Sequence, residues 1–150
     1  MIKLGVNSVL FKAYSFAEAA RAIKLAGYDG VEISAIQGMC EHLNLDDYNA
    51  GELKAIMEAN ELQFLSPEVA SLDRDRLEKA FEACAQIGIP IANVGPGGES
   101  NKEGDLERSI ETLRDRAELA GSYGVTLCCK AHVGAAIYNT PTTVAAMESV

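Results

Sequence analysis

Several polar residues close apolar runs, and their types are those of proton-transfer chemistry. Asn7 ends IKLGVN, Glu32 sits inside GVEIS, Ser66 and Glu68 follow LQFL, Asn93 lies in IANVG, and Lys130 and His132 close VTLCCKAH. Glu32 is flanked by Val31 and Ile33. If its side chain faces an interior, desolvation tunes a carboxyl for proton transfer, and a cation such as Lys130 opposes that effect. The alternative is an outward Glu32 on a solvated rim. Lys130 and His132 lie two residues apart and share a face if the strand runs through both. An ammonium there can bind a sugar oxyanion, hold a phosphate or act as an acid, and a histidine beside it can shuttle a proton near neutral pH. The plainer reading of the pair is a structural Lys–Glu contact with a hydrogen-bonded histidine.

Other motifs carry less. Gly95-Pro96-Gly97-Gly98 is loosely like a phosphate-cradling loop, a composition that ordinary strand–helix turns share. Glu41 and His42 are adjacent, which does not give the helical i,i+4 spacing of a metal pair. Cys40, Cys84, Cys128 and Cys129 form no CxxC pair and are expected to be buried reduced thiols, with Cys128 and Cys129 on opposite sides of a strand. No GxSxG, GxGxxG or GxxxxGK[ST] motif is present, so neither serine-hydrolase chemistry nor simple nucleotide binding has local support.

These positions need a scaffold, and the sequence repeats one. AGYDGVEI, IGIPIANVG and YGVTLCCKAH each place a glycine after a helical segment, then an apolar strand, then a polar residue. Near-continuous apolar strands suit a parallel sheet. Strands are predicted at about 2–7, 30–34, 62–66, 90–94 and 125–130. Helices are predicted at about 15–26, where Ser15 and Glu18 have capping-box spacing, 51–60, 74–87 and 106–123. Thr140 and Pro141 read as the N-cap and first turn of a fifth helix. Alternating strands and helices close either as a (β/α) barrel or as a doubly wound open sheet, with ligands at the C-terminal strand ends in both. A closed barrel needs eight strands, so five units over 150 residues are expected to be the N-terminal part of a single TIM-barrel domain. Open edges would then favour pairing with another copy.

Composition bounds the partners. The chain carries 13 basic against 22 acidic residues, a formal charge of −9, which opposes nucleic-acid binding. With 48% hydrophobic and 23% charged residues it is a folded domain rather than a disordered segment. The N-terminal run meets Lys12 before it can form a signal peptide, and no stretch approaches the ~20 apolar residues of a membrane span. A cytoplasmic protein acting on a small molecule is expected.

GYDGVEI (27–33), after an amphipathic first helix, resembles the second-strand signature of the sugar phosphate isomerase/epimerase family. That family has the xylose-isomerase-like barrel, shared with endonuclease IV and the ketose 3-epimerases. SIETLRDRAELAGSYGVTLCCKAH (109–132) is similar to its fourth helix and fifth strand, where members read GV-x-L-x-x-E-N-H. The resemblance implies a barrel acting on sugars or sugar phosphates, often with a divalent metal whose first ligand is the fifth-strand Glu. Lys130 stands in that place, while His132 matches the family's histidine. An ammonium cannot ligate a cation, so no metal ligand is assigned in this chain. The expected activity is proton transfer next to a carbonyl. Glu32, Lys130 and His132 are its catalytic groups, and Asn7, Glu68 and Asn93 bind the substrate. The alternative is an inactive sugar-binding or regulatory barrel that lost its metal site.

Overall fold

Residues 2–150 are described by the computed structural model. Five parallel strands follow one another in sequence order across a single sheet: β1 (Gly5–Asn7), β2 (Gly30–Ile36), β4 (Gln63–Glu68), β5 (Ile91–Val94) and β6 (Thr126–Cys129). A two-residue strand, β3 (Cys40–Glu41), folds back antiparallel on β2. The helices are α1 (Phe16–Leu25), α2 (Ala50–Ala59), α3 (Arg74–Ile87), α4 (Asp105–Ser122) and α5 (Thr140–Ser149), with a 3-10 turn at Ser8–Phe11. Each helix packs on the next in sequence. Sequential strand order with sequentially packed helices is the winding of a barrel; a doubly wound sheet reverses its strand order.

Local chemistry places the ends. The Ser15 hydroxyl accepts the Glu18 N–H at 3.4 Å while the Glu18 carboxylate accepts the Ser15 N–H at 2.9 Å, so the predicted capping box opens α1. Asn49, Asp73 and Asn139 cap α2, α3 and α5 in the same manner. The fifth helix is therefore capped by Asn139 rather than Thr140, because the Asn139 carboxamide accepts the Thr142 N–H at 3.0 Å. At the end of α3, Gly88 has φ 88°, a left-handed conformation that a side chain would strain. The first strand starts at Gly5, later than the expected residue 2. Ahead of it the Leu4 carbonyl accepts the N–H groups of Asp29 and Gly30, the turn into β2.

The two faces of the sheet differ. Val31, Ile33 and Ala35 of β2 and Ala92 and Val94 of β5 are buried with Ile23, Leu77, Phe81 and Ala120 of the helix layer. The alternate residues face the other way, into the concave side. Leu65 is 40% exposed and Ile91 36% exposed. At one point the pairing of β2 with β4 skips a residue: Val31 opposes Phe64, but Glu32 opposes Ser66, so Leu65 is a bulge. Its side chain fills the space over Gly5 and Gly30. A Cβ added to Gly5 would overlap Leu65 Cδ1, and one on Gly30 would lie 2.8 Å from Leu65 Cδ2. Nothing in the apolar run LQFL announces this role.

The thiols divide. Cys40 and Cys84 are buried as expected, but Cys128 and Cys129 are exposed, because β6 is an edge strand. Burial still pushes the Cys129 thiol up to about 11 and that of Cys84 to about 12, so both stay protonated at neutral pH. No helix among the described residues is long and apolar enough to cross a membrane. The sheet ends at β1 and β6 with unpaired edges, and Leu65 and Ile91 lie open on its concave side. Such edges and surfaces template association. The 150-residue chain is expected to sediment as dimers or larger species, and a monodisperse monomer that binds no apolar dye would contradict this.

Candidate functional site

The five parallel strands bring six polar side chains, those of Asn7, Glu32, Ser66, Glu68, Asn93 and Lys130, into one cup. Register sets the level: Asn7 lies beside Glu32, Glu32 beside Ser66, Glu68 beside Asn93, and Asn93 beside Cys128. The Asn7 carboxamide nitrogen donates to Glu32 Oε2 at 2.6 Å and to Glu68 Oε2 at 2.5 Å, so one NH2 group bridges two carboxylates. Its orientation is fixed, because Asn7 Oδ1 accepts the Val9 N–H at 2.8 Å. The other oxygen of Glu32 accepts from Asn93 Nδ2 at 2.7 Å and from Ser66 Oγ at 3.2 Å. The Lys130 ammonium donates to Glu68 Oε1. Glu68 is only 13% exposed, whereas Lys130 is half-exposed at the rim.

Glu32 is thus inward and ringed by neutral donors, not outward on a rim. Lys130 joins the cup, but its partner is Glu68 and not the expected Glu32. Strand order explains this. Between β6 and β2 lie β4 and β5, so at about 4.8 Å per strand Glu32 is roughly 14 Å from the backbone of Lys130. Glu68, on β4, is one strand closer, and a lysine can reach over β5 to it.

His132 does not enter the network. The last rung of the sheet is the Lys130 N–H to the Val94 carbonyl at 2.9 Å, after which the chain turns away and the His132 N–H reaches Ile137 O at 3.0 Å. The His132 ring bonds through Nδ1 to the Val133 carbonyl at 2.8 Å. A carbonyl only accepts, so Nδ1 carries a proton, and Nε2 is the ring nitrogen without a hydrogen-bond partner among the described residues. His132 and Lys130 border one open cleft of about 350 Å³ with Glu68, Ser71 and Gly95.

The remaining sequence candidates are structural. His42 is pinned by Ser8 Oγ at 2.9 Å and by the Tyr14 carbonyl at 3.0 Å. Ser8, which no sequence signal singles out, also accepts the Ser34 N–H and ties β2 to the first turn. The glycine loop is laced to the loop after β6, where the Gly97 carbonyl accepts the Ala136 N–H, and to α4, where the Pro96 carbonyl accepts the Ser109 hydroxyl. Asp105 stands behind this loop. The Glu99 N–H it accepts, then Arg108 and Lys102, hold its carboxyl below the ordinary carboxylate value against the opposing effect of burial. A carboxylate in that place opposes a phosphate in the loop.

A divalent cation does not fit this donor set. Metal sites of carboxylates need free oxygens and no competing cation, and here Lys130 already occupies Glu68. Among the described residues no three His, Cys, Asp or Glu converge on a metal-sized space.

Comparison with known proteins agrees with the fold. A family model described as the xylose isomerase-like TIM barrel matches residues 20–149. No curated protein matches the chain. Among solved structures, a D-allulose 3-epimerase from Methylomonas sp. is 16% identical with a TM-score of 0.71, covering 99% of this chain and 59% of its own. An IOLI protein with a bound zinc atom is 17% identical with a TM-score of 0.77, at 99% and 59% coverage. A xylose isomerase-like TIM barrel protein from Mycobacterium smegmatis, in complex with magnesium, is 13% identical with a TM-score of 0.75, at 97% and 60% coverage. The chain spans about three-fifths of the length of these structures.

Proposed function

The chain belongs to the xylose isomerase-like TIM barrel family, and on that premise we propose that it moves a proton at the carbon next to the carbonyl of a sugar or sugar phosphate. The observation that carries this reading is the convergence of Glu32, Asn7, Glu68, Asn93 and Lys130 at the C-terminal strand ends.

In this mechanism Glu32 takes the proton from the carbon. The electron pair moves into the new C=C bond, and the carbonyl oxygen becomes the enediolate oxygen. The Lys130 ammonium, at the rim, faces that oxygen and offsets its charge. Return of the proton by Glu32 to the neighbouring carbon gives the isomer; a proton delivered to the opposite face of the same carbon by a second acid gives the epimer. His132, through Nε2, accepts and returns the hydroxyl proton that isomerisation must relocate. Asn7 and Asn93 hold Glu32 in one orientation, and Glu68 holds Lys130.

A second reading is sugar binding without turnover. One observation favours it: Lys130 is already engaged by Glu68, so its charge is partly spent before any substrate arrives. The acidic balance of the chain suits a cytoplasmic partner that is a small molecule rather than nucleic acid or membrane.

Incubation with a panel of ketoses in deuterated water separates the readings. Deuterium appearing at the carbon next to the carbonyl, followed by proton NMR, is the expected result. Sugar binding by calorimetry without exchange selects the second reading, and neither signal for any sugar overturns both.

A further inference from the structure

We propose that the Lys130 ammonium is a tethered stand-in for a divalent cation: it occupies a carboxylate oxygen that an ion would need, and the cup becomes a metal site when that ammonium is removed.

The argument starts from two like charges. Glu32 Oε2 and Glu68 Oε2 accept from the same nitrogen, at 2.6 and 2.5 Å, which places the two oxygens no more than about 5 Å apart. Carboxylates this close repel and call for a positive charge between or beside them. Asn7, Asn93 and Ser66 supply dipoles but no charge. Among the described residues, the cation that touches the pair is Lys130, on Glu68. Similar folds hold zinc and magnesium ions, hard or borderline cations that carboxylate oxygens suit. Here a side chain from the fifth parallel strand reaches over β5 and delivers the charge instead. An ammonium so placed repels an incoming ion and occupies its oxygen.

Removing it reverses both effects. Lys130→Glu would put a third carboxylate at the rim of the cleft that Glu68 and His132 also line. Such a cup has the donors of a hard-cation site and an uncompensated negative charge that binding would relieve. The inference does not depend on turnover. A protein that exchanges no sugar proton can still satisfy it, and an active one can still fail it.

The test is manganese(II) titration of the 150-residue protein and its variants, by calorimetry and by melting temperature. The native protein is expected to show no stoichiometric site, and its melting temperature to be the same in millimolar manganese and in excess EDTA. Lys130→Glu is expected to gain a one-to-one site at least about tenfold tighter than any native binding, with a melting temperature that rises with manganese by ligand linkage. Glu68→Gln added to that variant should abolish the gain. If Lys130→Glu fails to fold in EDTA, folding restored by manganese supports the proposal. If manganese does not restore it, Lys130→Met decides: a larger manganese-induced rise than in the native protein supports the proposal, and none overturns it. Stoichiometric manganese in the native protein, lost in Glu68→Gln, also overturns it.

Discussion

Glu32→Gln is expected to lower the rate of proton exchange into a sugar by about 10² to 10⁴, the usual worth of a positioned general base, while leaving the fold in place. The structural reason for the second half lies in the donors. Glu32 Oε2 accepts from Asn7, whose amide cannot turn over because its oxygen is held by the Val9 N–H. The glutamine must therefore aim its carbonyl at Asn7 and its NH2 at Asn93. Asn93 is free to exchange the places of its own amide oxygen and nitrogen, since among the described residues its oxygen has no partner. The Asn93 bond changes direction, and the Ser66 hydroxyl, which donated to the same oxygen at 3.2 Å, loses that acceptor, so the stability cost should be about 1–3 kcal/mol. Exchange is read by deuterium incorporation and stability by thermal unfolding. A variant that keeps exchange within a few-fold of the native rate removes Glu32 from the chemistry.

The second large effect is on the fold. Phe81 is fully buried at the centre of α3, among the core residues shared by sheet and helices, and its ring lies 6.4 Å from that of Tyr123 at the end of α4. Phe81→Ala is expected to cost about 3–5 kcal/mol, from lost transfer energy and the cavity left behind. Typical domains are stable by only about 5–15 kcal/mol, so a large part of the margin goes. At about 2–4 °C per kcal/mol for a chain of this size, the melting temperature should fall by roughly 6–20 °C. Leu25→Ala is the contrast: Leu25 is 84% exposed on α1, and its loss should be within about 0.5 kcal/mol of neutral. A Phe81→Ala protein that melts within a degree or two of the native one would show that α3 does not anchor the core.

The architecture was legible because its signals are local and periodic. Capping at Ser15, the helical stripe of α3 and the glycine at 88 locate elements without knowledge of neighbours. The polar strand ends Asn7, Glu32, Glu68, Asn93 and Lys130 could be picked out because each interrupts an apolar run, and the structure brings all five into one cup. Which of them touch was not legible. The Lys130–Glu68 pair depends on how many strands intervene, a property of sheet order rather than of either residue's surroundings. The hairpin strand β3 and the turn at Ser8 were missed for a related reason. They are held by single polar contacts across the chain, such as Ser34 N–H to Ser8 Oγ at 2.9 Å, which leave no periodic trace. The exposed Cys128 and Cys129 likewise follow from β6 lying at an edge.

Leu65 also works as a phase shifter. Up to Phe64, β4 runs in step with β2, residue for residue; beyond Leu65 it runs one residue late, so that Glu68 meets Ser34 instead of Ala35. Side chains on a strand alternate sides, so a delay of one residue inverts every later side chain. If Leu65 instead paired in step with Glu32, Pro67 would turn into the cup and Glu68 would be driven beneath the helices, a carboxylate in an apolar layer. Deleting Leu65 would leave that late register in place, with Ser66 still opposite Glu32 and Glu68 still opposite Ser34, so Lys130 would keep its partner and the cup would lose only the side chain that covers Gly5 and Gly30.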